Sequence, residues 1–306
     1  MSLIVVGSMA FDAIETPFGK SDKIVGGAAT YIAWCASNFC KVNQISVIGG
    51  DFPQSELDEL TKRGVSFEGV QIKKDEKSFF WSGKYHLDMN SRDTLITELN
   101  VLADFKPVVP ESYQDCEFLM LGNLDPTVQR SVIKQLKVKP KLIVLDTMNF
   151  WMDIMLDELK KTIGMVDVLM VNDSEARQLS GDYSLVRGAK KIMAMGPKYL
   201  IIKKGEHGAL LFHENSVFYA PALPLEEVFD PTGAGDTFAG GFVGHLVKTK
   251  DISFENMKTA IIVGSAMASY CVEKFGTERL REINQNDIKE RLKQFVQLSS
   301  FDIALV

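Results

Sequence analysis

The stretch Asp230-Pro231-Thr232-Gly233-Ala234-Gly235-Asp236-Thr237-Phe238-Ala239-Gly240-Gly241 decides how this chain is read. It follows an extended run, Leu225–Phe229, and opens an apolar segment predicted to be a helix over Ala234–Val247. Gly233 and Gly235 let backbone N–H groups turn inward with no Cβ in the way. At a helix N-terminus such donors carry partial positive charge and form an anion site. Asp236 then falls in the first turn, beside the place an anion would occupy. A carboxylate repels a bound phosphate, so its presence there needs a chemical reason. Taking the proton from a hydroxyl that attacks phosphorus is one. The amides would stabilise charge on the transferring group, an effect worth about 10²–10³ in rate per donor. The plainer alternative is a tightly packed helix start with Asp236 as a dipole partner.

Outward from that stretch, short β-branched runs alternate with helical patterns. Leu3–Val6, Gln44–Ile48, Phe118–Leu121, Leu142–Leu145, Val168–Val171 and Tyr199–Ile202 read as buried strands, bounded by Gly, Asp or Asn. Helices are predicted over Ala28–Phe39, Gln54–Lys62, Thr127–Leu136, Met152–Thr162, Glu175–Leu179 and Leu185–Met195, then Phe254–Glu273 and Gln285–Leu298. The alternation implies an α/β fold, a mostly parallel central sheet with helices on both faces. Two segments, about 12–20 and 70–100, break the pattern with strand-like chemistry. Within Ser78–His86, Phe79, Trp81 and Tyr85 fall on one face and Ser82, Lys84 and His86 on the other. These segments are expected to form a small antiparallel sheet, a lid within a single domain of residues 1–306. Its aromatic face suits packing, substrate cover or a homodimer contact better than nucleic-acid stacking.

Composition narrows the function. With 34 Lys+Arg against 40 Asp+Glu in 306 residues, the net charge is −6, which argues against broad nucleic-acid binding. Hydrophobic residues at 46% and charged residues at 24% place the chain among globular proteins. No apolar run approaches the roughly 20 residues of a membrane span, and no secretory signal is expected, so a cytoplasmic location follows. Cys35, Cys40, Cys116 and Cys271 form no CxxC pair and read as buried reduced thiols, while four scattered histidines show no metal-ligand spacing. Gly19-Lys20-Ser21 lacks the leading glycine of a P-loop, because Ile14 stands there. Phe238 replaces the third glycine of a dinucleotide fingerprint.

From Asp230 to Val243 the sequence resembles, position by position, the C-terminal signature of the ribokinase-like (PfkB) carbohydrate kinases. The resemblance implies the ribokinase-like three-layer α/β/α sandwich with a β-sheet lid. It implies Asp236 as catalytic base and the amides of Gly233, Ala234 and Gly235 as an anion hole for the γ-phosphate of ATP. Asp12 resembles the family aspartate that binds substrate hydroxyls, and Gly26-Gly27 the paired glycines over which substrate lies. Asn172-Asp173-Ser174-Glu175 resembles the N-x-x-E motif associated with magnesium and phosphate positioning, so Glu175 is implied to meet Mg²⁺, directly or not. Lys203-Lys204-Gly205-Glu206-His207-Gly208 resembles the turn that holds the nucleotide, through Lys204, Gly205 and Gly208. Thr232 and Gly276, the latter in Phe275-Gly276-Thr277, are implied nucleotide contacts, and Asp230 a monovalent-cation site, K⁺ being the candidate. Each motif has a plainer reading as well. Asp12 fits a strand-end turn, Asn172 a helix cap with Glu175 as a first-turn acid, and Lys204 a solvated lysine. Asn123 and Asp125 end a strand where ligands gather, but Leu124-Asp125-Pro126 is also an ordinary turn.

Two departures bear on the substrate. Family sugar kinases commonly continue the double glycine as GGxxxN, whereas Tyr31 stands at the Asn place, which argues against simple ribose specificity. Asp146-Thr147-Met148-Asn149-Phe150-Trp151 resembles the Asp-Pro-Asn-x-Arg run of fructokinase-like members without its Pro and Arg. The expected activity is ATP- and Mg²⁺-dependent phosphorylation of a hydroxymethyl-type hydroxyl on a small sugar or sugar-like alcohol. A nucleoside is the rival acceptor, with Tyr31, Phe79 and Trp81 available to stack on a base. A catalytically idle sugar-binding or regulatory protein is the third reading.

Overall fold

A computed structural model describes residues 2–300. Thirteen strands are formed among them: β1 Ser2–Val6, β2 Ala10–Thr16, β3 Gly19–Gly26, β4 Lys41–Gly49, β5 Val65–Lys73, β6 Phe79–Tyr85, β7 Arg92–Glu98, β8 Phe118–Leu121, β9 Leu142–Asp146, β10 Val168–Asn172, β11 Tyr199–Lys203, β12 Ala209–His213 and β13 Ser216–Ala220. Nine make one sheet in the order β13-β12-β11-β10-β9-β8-β1-β4-β5. Its pairs are parallel from β11 to β5, with β12 and β13 added antiparallel at one edge.

The period of two along each strand divides the core. Leu3 and Val5 of β1, Phe118 and Met120 of β8, and Val168 and Met170 of β10 enter one apolar cluster with helices Ala28–Ala36, Ala234–Thr249 and Phe254–Cys271. Ile4, Val6, Leu119, Leu121, Leu169 and Val171 enter the other, against helices Pro126–Gln135, Leu156–Ile163, Asp173–Ser180 and Leu185–Met193. Strands buried on both faces read as continuous apolar runs, which is why they were visible in the sequence.

The lid is a second sheet, ordered β3-β2-β6-β7. It differs from expectation in two respects. β2 and β6 pair parallel, so the sheet is only partly antiparallel. Residues 70–73 belong to β5, which completes the large sheet beside β4, and the second half of the lid starts at β6. The helix expected over Met152–Thr162 is two, Asn149–Ile154 and Leu156–Ile163, because Met155 leaves the helical region at φ −140°. The four cysteines are free, three buried and Cys40 half-buried.

Candidate active site

The signature turn is held from below. Asp230 is fully buried, and its two oxygens accept the N–H of Thr232 (2.8 Å) and of Gly276 (2.9 Å). Gly276 therefore anchors the turn to the loop after helix Phe254–Cys271. Gly233 has φ +75° and caps the helix that begins at Ala234. A Cβ at Gly233 would overlap the ring of Tyr31, so this position needs glycine for both conformation and space. Thr237 N–H donates to Gly233 O (2.8 Å), starting the helix, while Ala234 N–H reaches Pro231 O at 3.2 Å. The amides of Gly233 and Gly235 have no backbone acceptor among the described residues. Two of the three expected anion-hole donors are thus free, and the third is weakly engaged in the turn.

Around the turn stand carboxyl groups with raised pKa values. Burial is the main cause for Asp236, pushed up to about 7. Asp146 raises it further, while Lys203 and Arg92 pull it down. Asp12 rises to about 8 through burial and then the charges of Asp230 and Asp236, against the N–H of Gly27 and the charge of Arg92. Glu175 rises to about 7, again mainly through burial, with Lys203 opposing. Asp230 is also raised by burial, offset by its two backbone donors. Asp12 and Asp236 lie 224 positions apart in the chain, yet the charge of Asp236 helps to raise the pKa of Asp12.

Three further residues stand at the site although none was among the expected site residues, Asp146 and Lys203 having been read only as members of longer motifs. Lys203, the last residue of β11, sends its Nζ to Asp146 Oδ2 at 2.6 Å. The same Nζ lies 3.0 Å from where a Cβ on Gly235 would stand. Asp146, the last residue of β9, is buried and also accepts the N–H of Thr147 (2.9 Å). Arg92 opens β7 of the lid, and its charge lowers the pKa of Asp12, Asp236 and Glu175. For Asp146 and Lys203 a usable signal existed, since residues at the carboxyl ends of parallel strands line the ligand crevice. Nothing local marks Arg92.

The remaining expected residues fall as follows. Gly26 packs so closely on Asp12 that a Cβ there would collide with its carboxylate, and Gly27 leads directly into helix Ala28–Ala36. Tyr31 is only 1% exposed and lies beneath the turn, so its ring offers no open face for stacking. Asn172 and Glu175 form a reciprocal cap: Asn172 Oδ1 accepts Glu175 N–H (2.8 Å) and Glu175 Oε2 accepts Asn172 N–H (2.7 Å). Asp125 caps helix Pro126–Gln135 through Thr127 N–H (2.6 Å). Asn123 accepts from Trp151 Nε1 (2.8 Å) and donates to Met148 Sδ (3.0 Å). Lys204 closes the turn at Gly205–Gly208 by its backbone N–H on Gly208 O (2.8 Å), and its amine forms no ion pair among the described residues. The lysine that reaches the signature is its neighbour.

The lid lies down on this arrangement. Thr232 Oγ1 donates to Tyr85 OH of β6 (3.1 Å), and Thr16 Oγ1 of β2 donates to Phe229 O (3.0 Å). Gly19, the first residue of β3, meets the ring of Phe275, and Asn90 before β7 packs on Gly205. Lid, signature turn and the Gly205–Gly208 turn therefore converge at the carboxyl ends of the parallel strands.

Residues 2–284 match the profile of the pfkB family carbohydrate kinases. The chain is similar to a cytidine kinase of Thermococcus kodakarensis, with 30% identity over 250 residues covering 79% of this chain and 87% of that protein. A nucleoside kinase of Methanothermobacter thermautotrophicus is 25% identical over 324 aligned positions, covering 96% and 95%. The fold is similar to that of the nucleoside kinase of Methanocaldococcus jannaschii, an archaeal member of the ribokinase family. There the TM-score is 0.76 at 20% identity, over 96% of this chain and 98% of that one.

Proposed function

Because the chain belongs to the pfkB family carbohydrate kinases, and is thus an ATP-dependent kinase, we propose that its acceptor is a ribonucleoside phosphorylated on its hydroxymethyl oxygen. Trp81 carries this choice. It pairs with Asp12 across β6 and β2, so the two side chains stand on the same face of the lid. The indole lies over Gly83, where a Cβ would overlap the ring, and its Nε1 donates to Thr94 Oγ1 (3.3 Å). A flat, half-buried ring beside a carboxylate matches a base joined to a ribose: stacking for one, hydrogen bonds for the other. The cytidine and nucleoside kinase relatives support the same acceptor class.

In this reading Asp12, set by the Gly26-Gly27 turn, accepts hydroxyls of the ribose. Asp236 takes the proton of the attacking hydroxyl as its oxygen bonds to the γ-phosphorus. The bond from that phosphorus to the β–γ bridging oxygen breaks, and ADP leaves with the electron pair. The amides of Gly233, Ala234 and Gly235 face the charge that builds on the transferred group. Asn172, Lys204, Gly205, Gly208, Thr232 and Gly276 frame the nucleotide. No cluster of three or more acidic, His or Cys side chains is built to cage a metal among the described residues. That donor set fits Mg²⁺ arriving on the nucleotide and met by Glu175, since Mg²⁺ commonly keeps several waters and few protein ligands. Bound there, it supplies neutralising charge to the phosphates. A monovalent cation such as K⁺ beside Asp230 belongs to the same reading, because that buried carboxylate meets two backbone amides and no cationic side chain. The exposed Leu95 and Ile96 of the edge strand β7 support a homodimer through the lid. The free cysteines suit a cytoplasmic enzyme.

Ligand-shifted melting tests the acceptor. Cytidine, uridine, adenosine and inosine should include at least one compound that raises the unfolding midpoint while ribose and fructose do not. A shift with free sugars alone would overturn the nucleoside assignment and restore a simple sugar as acceptor.

A further inference from the structure

We propose that Lys203 is a catalytic residue, gripping the terminal phosphoryl group of the triphosphate, and that Asp146 is the residue that positions it. The inference rests on reading the 233–235 turn as the phosphate site, and it does not depend on which acceptor is used.

The geometry carries it. Lys203 and Asp146 end β11 and β9, so their ion pair bridges over the end of β10, where Asn172 and Glu175 begin the next helix. The lysine side chain is 18% exposed and the aspartate 6%. Nζ carries three donors, and Asp146 Oδ2 is its one hydrogen-bond partner among the described residues. Its other donors are left beside Gly235, whose missing Cβ is what lets the amine come so near. Asp146 is itself pinned, with Oδ1 on Thr147 N–H and Oδ2 on the lysine. A buried ion pair stabilises a fold poorly once desolvation is counted, so fold stability alone is a weak reason for this one. An ammonium at an anion hole has a direct use, because it adds full charge where the amides add partial charge.

The remaining charges around the pair fit the same role. Burial pushes the lysine's pKa down, but Asp146, Glu175 and Asp236 outweigh it and hold the ammonium above the ordinary lysine value. Lys203 therefore stays protonated across the working pH range and returns no proton during turnover. Its contribution is electrostatic and leaves Asp236 as the base. On binding, the phosphoryl oxygens take up the donors that Asp146 leaves open.

The test uses Lys203→Met, Lys203→Arg and the double variant Lys203→Met/Asp146→Asn, with wild type and Asp236→Asn alongside. The proposal expects kcat at least 100-fold lower in Lys203→Met. It also expects ADP affinity within threefold of wild type, and affinity for a non-hydrolysable ATP analogue at least tenfold weaker. Lys203→Arg should recover part of the rate. The double variant leaves no unpaired buried carboxylate behind; it should regain wild-type unfolding behaviour and remain inactive. Recovery of kcat to within fivefold in the double variant would overturn the proposal, since the pair would then be only structural. Unchanged analogue affinity in Lys203→Met would overturn it too. Failure of the underlying phosphate-site reading gives a different result: Asp236→Asn would turn over like wild type whatever the lysine variants do.

Discussion

The ring of Tyr31 lies directly against Gly233, at the point where the backbone enters the left-handed region to open the signature helix. The signature turn is thus seated on an aromatic floor supplied by the first helix. Gly233→Ala combines left-handed strain of about 1–2 kcal/mol with overpacking of roughly 1–3 kcal/mol. It should lower the unfolding midpoint and cost about 100-fold in kcat, because it displaces the donors of the anion hole. Tyr31→Phe should act in the opposite sense on stability. The Tyr31 hydroxyl is buried with no hydrogen-bond partner among the described residues, so its removal should stabilise the protein by about 1 kcal/mol. Denaturant unfolding of both variants checks this. A destabilised Tyr31→Phe would show that the hydroxyl has a partner in solution.

The raised carboxyl groups set a pH dependence for stability. Asp12, Asp236 and Glu175 hold protons in the folded state up to about pH 8, 7 and 7, while the unfolded chain releases them near pH 4. Between those limits the folded state binds more protons, so their contribution makes stability fall as pH rises. Asp236→Asn should therefore be more stable than wild type at pH 8, with the gap closing toward pH 5. Melting curves of the two proteins at both pH values decide it, and a gap that widens at pH 5 would contradict the electrostatics described here.

Arg92 couples the lid to that chemistry. Its charge lowers the pKa of Asp236, Asp12 and Glu175 from a strand far from them in sequence. With Arg92→Ala, the acid limb of kcat/KM should move to higher pH, and a shift of one unit would cost roughly tenfold at pH values below it. Lys at this position should restore part of the effect. An acid limb that stays in place would show that Arg92 does not act on the base.

The proposed nucleoside acceptor makes Trp81 the residue that separates nucleosides from free sugars. Loss of a stacking partner costs about 1–3 kcal/mol per base, so Trp81→Ala should raise the nucleoside KM roughly 5- to 150-fold. Turnover of any free sugar should change little. Equal loss for both acceptor types would assign Trp81 to lid packing.

Much of this site was legible because it is local. The twelve residues from Asp230 to Gly241 carry the turn, Asp236 and the helix start together, and the strands announce themselves as apolar runs buried on both faces. What stayed hidden depends on strand ends and on long-range closure. The strand expected over Tyr199–Ile202 stops one residue short of β11, which ends at Lys203, and within the Lys203–Gly208 motif the resemblance implies Lys204 as the contact. Arg92 lies 144 positions from Asp236, and only the lid's folding onto the ends of the parallel strands brings its charge there. Tyr31 looked like a stacking residue because a tyrosine at the Asn place invites that reading. Burial under Gly233 makes it part of the floor. The short β12–β13 hairpin gave no reading at all, and it forms as an antiparallel addition to a parallel sheet.

The central claim is that Asp236 serves as base for phosphoryl transfer from ATP to a nucleoside. ADP release from ATP–Mg²⁺, with a panel of ribonucleosides and sugars as acceptors, tests it most directly in wild type and Asp236→Asn. The account predicts nucleoside-dependent release in wild type and a loss of at least 100-fold in the variant. Equal rates in the two proteins would contradict it.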